Sequence, residues 1–244
     1  SALVEPYYNF CASALRATAV RDGEEYVING SKCLVPLAQE SQNMLVFAAT
    51  SPGMGFSGVD GFLLPVESKG VDVGEREKNI GINALATYPV TLKDCRVPLA
   101  SRLGGDAGCD FLRLLSRSRL ALAALAVGMS RRALEHSIEY ATQRIAFGEP
   151  IGSRQAIAFM IAEMAIEVDA ARLLAWEAGW RCDKSMDFEK DASLAKNYAA
   201  DMAMMVCDRG VQIMGGHGYV RDNPVELWFR NARGFATFEG FVMV

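Results

Sequence analysis

Hydrophobic and polar positions follow two different periods along this chain. In the first hundred residues the apolar positions fall in short β-prone runs. Ala14 to Val20 and Glu25 to Ile28 flank Arg21-Asp22-Gly23, and Asn29-Gly30 is expected to turn the chain again. Met44 to Ala49, Phe62 to Val66 and Thr87 to Leu92 continue the series, each bounded by turn residues. Runs of this kind with no helical period between them predict an antiparallel β-sandwich or barrel rather than βαβ units.

After Gly104-Gly105 apolar residues recur at three- and four-residue steps. Phe111, Leu115, Leu122, Leu125, Met129 and Ile138 predict one helix of roughly 35 residues. A second is expected from about Ser153 to Cys182 and a third from Asp187 to about Met214. A fourth, shorter helix starts near Asn223-Pro224, where proline suits the first turn. Long helices joined by short loops pack as antiparallel neighbours. The expected class is therefore α+β: an antiparallel β-barrel or sandwich domain over residues 1–105, followed by an antiparallel helical bundle over residues 106–244.

Composition narrows the function classes. Hydrophobic residue types make up 51% and charged ones 22%, which argues against disorder, and a net charge of −4 argues against a general nucleic-acid binder. The six cysteines include no CxxC pair and there are only two histidines, so neither a zinc site nor a disulfide framework is expected. Unpaired cysteines suit a reducing compartment, and the cytoplasm is the expected location. The longest apolar run, Leu120 to Met129, is about half of the ~18 residues a spanning helix needs, so no membrane span is expected. The first residues carry neither an initiator Met nor a leader pattern, so the chain is expected to be a piece of a longer one.

Three segments are candidates for chemistry. Gly53-Met54-Gly55-Phe56-Ser57-Gly58 matches GxGxxG, but Val59-Asp60-Gly61 and a strand follow instead of a helix, so it is read as a hairpin loop without a cofactor. Gln143 to Gln155 sits where one long helix ends and another starts; Arg144 there is either a counter-charge to the helix dipole or a phosphate clamp. Gln212-Ile213-Met214-Gly215-Gly216-His217-Gly218-Tyr219 is a helix end running into glycines that form a turn or let a ligand come close.

Together with Phe238-Glu239-Gly240, and in this order and separation, the last two segments resemble the acyl-CoA dehydrogenase family. The resemblance extends over essentially the whole chain. Val4-Glu5-Pro6 is similar to the Thr-Glu-Pro segment opening the family's middle β domain, and Tyr26 to Lys32 to its strand-turn-lysine segment; the family's N-terminal helical domain has no counterpart here. The resemblance implies an FAD site shared between subunits. Arg144 and Phe147 match residues holding the FAD phosphates and adenine side, Gln155 matches the Gln of the same motif, and Gln212, Gly215 and Gly216 match the stretch reaching a neighbour's FAD. At least a dimer is therefore expected, as a homo-oligomer or hetero-oligomer, with an electron-accepting flavoprotein as a further partner. Glu239 matches the catalytic base, Gly240 the residue beside the substrate thioester, and Arg119 a substrate-side arginine; Ser118 stands where some members carry the base instead.

The chemistry suits a carboxylate. A thioester acidifies its α-hydrogen, a carboxylate in a dry pocket can abstract it, and flavin N5 can take the β-hydride. The departures fall on the flavin side. Asn9-Phe10-Cys11 replaces Gly-Ser-Asp, Leu34-Val35-Pro36 replaces Trp-Ile-Thr, Ser116 an Asp, and Phe241 a Thr. Pro36 has neither an N–H nor a hydroxyl to offer. Two functions therefore stand: FAD-dependent α,β-dehydrogenation of an acyl-CoA thioester, or a non-catalytic or half-active subunit of a dehydrogenase-like complex.

Overall fold

A computed structural model describes residues 1–240 of the chain. Phe241, one of the flavin-side departures, lies outside the described residues. Two compact units emerge: Ser1–Asn79 with Asn83–Leu115 and residues 239–240, and Ile80–Ile82 with Ser116–Phe238.

The first unit is built on one six-stranded sheet in the order β4-β3-β1-β2-β6-β5, with β1 at Thr18–Asp22, β2 at Glu25–Pro36, β3 at Asn43–Ala49, β4 at Val59–Pro65, β5 at Val71–Val73 and β6 at Thr87–Pro98. Alternation explains the long strands: Tyr88, Val90 and Leu92 of β6 are buried and the residues between them are less so. Four of the five junctions are antiparallel, as the sequence predicts, and β1 meets β3 in parallel through Thr18 and Ala49. The sheet is open, with β4 and β5 as its edges, so it is a sandwich-type layer and not a closed barrel. Residues 53–58, with GxGxxG, form the β3–β4 connection and lead into a strand.

One expected turn is absent. β2 runs straight through Asn29-Gly30, with a register shift against β6 between Ile28 and Gly30. Gly30 has φ +153°, and a Cβ there would run into Ala17, so the glycine serves a bulge and a close approach.

A buried charge pair anchors the entry to this unit. Glu5 accepts from the backbone N–H of Arg16 (2.8 Å) and Ala17 (2.9 Å) and from Lys32 Nζ (2.9 Å), which also donates to Leu3 O (3.1 Å). Burial pushes the Lys32 ammonium below its ordinary range, and the Glu5 carboxylate opposes that shift.

The second unit is helical. α1 spans Phe111–Gln143, α2 Gln155–Asp183, α3 Glu189–Met214, the single turn α4 Gly216–Tyr219 and α5 Val225–Thr237. The first turn of α1 belongs to the β unit, where Phe111 packs 5.0 Å from Phe47. In the helical unit α3 is central, packed against α2 and α5. Its buried face carries five alanines among twelve buried residues, including Ala192, Ala195, Ala199 and Ala203, and these permit close helix approach. Ile80–Ile82 joins this unit on α5: Ile82 N–H donates to Asn231 Oδ1 (2.6 Å) and Arg230 Nη1 to Ile80 O (3.2 Å). No described helix is long and apolar enough to cross a membrane.

Candidate active site

The helix end at Gln143 is followed by a feature that the hydrophobic pattern does not reveal. Ile145–Ala146 (β7) pairs with Glu149–Pro150 (β8), with Phe147 and Gly148 as the two loop residues. Both have positive φ, +55° and +85°, the signature of a type I′ hairpin that Asn-Gly normally fills. A phenylalanine is strained there, and its ring is 96% exposed. Phe147 thus combines a positive φ with an exposed aromatic ring.

Around it the structure gathers cations. Arg144 is exposed and has no carboxylate partner among the described residues. The Arg154 guanidinium lies 5.8 Å from the Phe147 ring centroid and pairs with Glu149 at 2.9 Å. Gln155 follows as the first residue of α2 and is exposed. Arg154 is the contact that the sequence reading passes over, although it opens α2 ten residues after Arg144.

The second candidate segment lies beside the first. Tyr140 Oη, one turn before Arg144, and His217 Nδ1, next to Gly216, are 3.3 Å apart. The three glycines there have different reasons. Gly215 has φ +57°, and a Cβ on Gly218 would stand 2.5 Å from Val211 O. Gly216 has no positive φ, and a Cβ there would meet no other described residue within 4 Å beyond its own helix and chain neighbours, so nothing among the described residues calls for glycine. Gln212 is exposed, and its carbonyl accepts from Gly215 N–H at 3.1 Å.

Arg119 sits apart from these, on α1, donating to Ser193 Oγ at 3.0 Å. Lys196, one turn further along α3, is pushed below its ordinary range by burial and then by the Arg119 charge, with Asp201 opposing. Ser118 is buried.

Glu239 follows α5 after one residue, Phe238, which is buried and donates its N–H to Gly234 O at 2.9 Å. Glu239 is half-buried; Gly240 is buried with φ +124°, a backbone that favours glycine. These two residues group with the β unit, so the structure brings Arg144, Phe147, Gln155, Gln212, Gly215 and Gly216 together in the helical unit, while Glu239 and Gly240 belong to the other.

An FAD-sized group fits the two units unequally. The helical unit offers an unpaired guanidinium for phosphate and an exposed aromatic for a ring. In the β unit the backbone donors around the altered segment are consumed: Cys33 N–H goes to Val4 O, Leu34 N–H to the Glu77 carboxylate and Leu37 N–H to Ala86 O. Pro36 has no N–H.

Residues 2–95 match the acyl-CoA dehydrogenase middle-domain model, and residues 110–241 match the acyl-CoA dehydrogenase C-terminal-domain model. The chain belongs to the acyl-CoA dehydrogenase family. Among its relatives, the caffeyl-CoA reductase–Etf complex subunit CarC of Acetobacterium woodii is 35% identical over 241 residues, covering 98% of this chain and 64% of that protein. The human mitochondrial short-chain specific acyl-CoA dehydrogenase is 36% identical over 242 residues, covering 98% and 58%. The butyryl-CoA dehydrogenase structure from Megasphaera elsdenii superposes with a TM-score of 0.87 at 33% identity, over 98% of this chain and 63% of that one. The chain thus spans about three fifths of the length of these acyl-CoA dehydrogenase relatives.

Proposed function

We propose that the protein carrying this chain is an FAD-dependent oxidoreductase that dehydrogenates an acyl-CoA thioester between its α and β carbons. Residues 1–105 and 106–244 act in it as the middle and C-terminal domains. The observation that carries the reading is the cluster of Arg144, strained Phe147 and unconstrained Gly216 on one helical unit, joined through Tyr140 and His217. FAD, when bound, supplies the hydride acceptor.

Arg144 pairs with the pyrophosphate, as a guanidinium suits planar anionic oxygens, and Phe147 packs on the adenine side with Gln155. Gln212, Gly215 and Gly216 let the cofactor of a neighbouring subunit come close, which makes an oligomer, homomeric or heteromeric, part of the function. Glu239 takes the α-proton onto a carboxylate oxygen, Gly240 leaves room for the thioester, and Arg119 serves the substrate side. An electron-accepting flavoprotein reoxidises the enzyme, a role supported by the Etf-complex relative. The cytoplasm is the proposed site of action.

A second reading is favoured by Pro36 and the consumed donors at Cys33, Leu34 and Leu37: a half-active or non-catalytic subunit that lends Arg144 and Gln212 to a partner's cofactor. One experiment separates the two. In the purified full-length protein, Glu239→Gln keeps shape and hydrogen bonding but removes the base. Retained FAD absorbance with loss of flavin bleaching by acyl-CoA, against bleaching in the wild type, supports the enzyme. Equal bleaching in both removes Glu239 as base, and absence of FAD from both favours the subunit reading.

A further inference from the structure

The connection between Val73 and Thr87 runs from residue 74 to residue 86 without helix or strand, a length that connections in compact folds rarely reach. Its two arms are pinned within the β unit. Glu77 N–H donates to Thr87 O (2.9 Å), Asn79 Nδ2 to Thr87 Oγ1 (2.8 Å), and Arg76 Nη2 to Asn83 O (2.6 Å). The tip that these arms present, Ile80–Ile82, lies on α5. Ile82 holds φ +55°, in the left-handed region that a β-branched side chain avoids. Such a backbone persists only where the surroundings over-determine it.

α5 supplies those surroundings along one face, the row of Glu226, Arg230 and Gly234 with Asn231 beside it. Arg230 donates twice to Glu226, from Nε to Oε2 (2.8 Å) and from Nη2 to Oε1 (3.1 Å), which aims Nη1 at Ile80 O (3.2 Å). Asn231 Oδ1 takes the Ile82 N–H at 2.6 Å. Glycines on both sides let the backbones close: a Cβ on Gly81 would strike Arg230 O, and one on Gly234 would strike Ile82 Cδ1. The same Gly234 accepts the N–H of Phe238, and Glu239 comes next. On its other side α5 buries Val225, Ala232 and Phe235 and sets Trp228 at right angles to His136 of α1, ring centroids 5.6 Å apart. The helix is held from two directions.

We propose that Asn231 is a positioning residue for Glu239: by accepting the Ile82 N–H it clamps the strained tip onto α5 and fixes the helix end from which Glu239 is placed, eight residues on. The proposal rests on the reading of Glu239 as the acceptor of the α-proton. A base acts only within hydrogen-bond reach of its proton, and a misplacement of ~1 Å can cost ~10²-fold in rate. Ile82 sits over Gly234 and Gly234 carries Phe238, so release of the tip loosens the turn that sets Glu239. Asn231 acts through that turn and not on the substrate. An uncharged amide suits the task, because the Ile82 N–H needs an acceptor; a carboxylate of the same shape would serve, and an alkyl side chain of the same size would not.

The test uses the full-length protein with its cofactor. Asn231→Leu removes the acceptor at similar volume, and Asn231→Asp keeps it. With butyryl-CoA or a longer saturated acyl-CoA as reductant, the leucine variant should bleach FAD at least about tenfold more slowly per bound flavin, with the half-saturating acyl-CoA concentration changed less than about twofold. The aspartate variant should recover most of the rate. Hydrogen exchange needs no turnover: residues 235–240 should lose protection in Asn231→Leu and keep it in Asn231→Asp. Where the leucine variant fails to fold, Asn231→Ser, whose hydroxyl is too short to reach Ile82, takes its place. A lower melting temperature with an unchanged rate per bound flavin, unchanged exchange over 235–240, or no recovery by aspartate overturns the proposal. Failure of the base assignment looks different: Glu239→Gln would bleach like the wild type while exchange over 235–240 still responded to Asn231, which overturns the clamp's part in catalysis.

Discussion

The β unit buries paired charges, whereas the central helix of the helical unit buries a run of alanines beside one cation, Lys196. Lys32, Glu5 and Asp60 are all nearly inaccessible, Asp60 accepting from Arg102 Nη2 at 2.7 Å, from Thr50 Oγ1 at 2.8 Å and from Cys109 N–H at 3.0 Å. On α3 the corresponding positions are Ala192, Ala195, Ala199 and Ala203, each fully buried. The comparison teaches where each unit is brittle. A sheet stitched by buried ion pairs fails when one partner is removed, whereas helices in alanine-mediated contact fail when something is added.

The largest effect should come from breaking the stitch. Lys32→Met leaves the Glu5 carboxylate buried without its cation and should destabilise the protein by about 3–5 kcal/mol in urea unfolding. Pairing it with Glu5→Gln should recover much of that loss. A loss below about 1 kcal/mol for the single variant would contradict the account, since even an ordinary hydrogen bond is worth that much.

Next in size is the opposite insult. Ala195→Leu on the buried face of α3 should cost about 1–3 kcal/mol by overpacking. The same unfolding curves measure it, and a neutral or stabilising result would mean that the helices do not pack as closely as their alanines suggest.

Arg144→Ala should leave stability unchanged, because its guanidinium has no carboxylate partner among the described residues, and should weaken FAD roughly tenfold or more, from ~1.5–3 kcal/mol for a lost charge-assisted hydrogen bond. Unchanged FAD retention on gel filtration would return Arg144 to the role of a helix-end charge. Phe147→Asn sharpens the point with a sign reversal. Asn accepts positive φ, so melting temperature should rise by the equivalent of ~1 kcal/mol while FAD retention falls. A fall in both would make Phe147 a packing residue.

The smallest effects concern thiols. Burial pushes Cys207 up to about 12 and Cys33 up to about 11, and Cys11 is exposed. A raised thiol pKa lowers the thiolate fraction, so at pH 8 Cys33 and Cys207 should resist labelling until the protein unfolds, and below its pKa the Cys33 rate should climb about tenfold per pH unit. Fast labelling of Cys207 in the native protein would mean that the bundle opens.

The helices were legible in the sequence because each is long and periodic: Phe111–Gln143, Gln155–Asp183 and Glu189–Met214 lie within two residues of their expected limits. Strand limits were less legible. Asn29-Gly30 has a turn signature, yet Ala17 comes so close to Gly30 that only a continuous bulged strand accommodates both. Val71–Val73 is too short to show a period, and the parallel contact of β1 with β3 is a long-range pairing with no local sign. Among candidate site residues, Arg144 and the glycines stood out by type, but the strain at Phe147 and the nearness of Tyr140 to His217 exist only once the backbone is folded.

Ile80–Ile82 makes the two units inseparable by a single cut. The backbone leaves the β unit at Ile80, returns at Asn83, leaves again at Ser116 and is back by Glu239. A fragment beginning at Ser116 would lose Ile82, whose side chain occupies the space over Gly234 where a Cβ would otherwise stand. It would also lose the carbonyl that Arg230 Nη1 binds and the N–H that Asn231 Oδ1 accepts. Recombination or truncation at the helix boundary therefore yields an incomplete bundle, and no exchange of a single internal segment between homologues keeps both units whole.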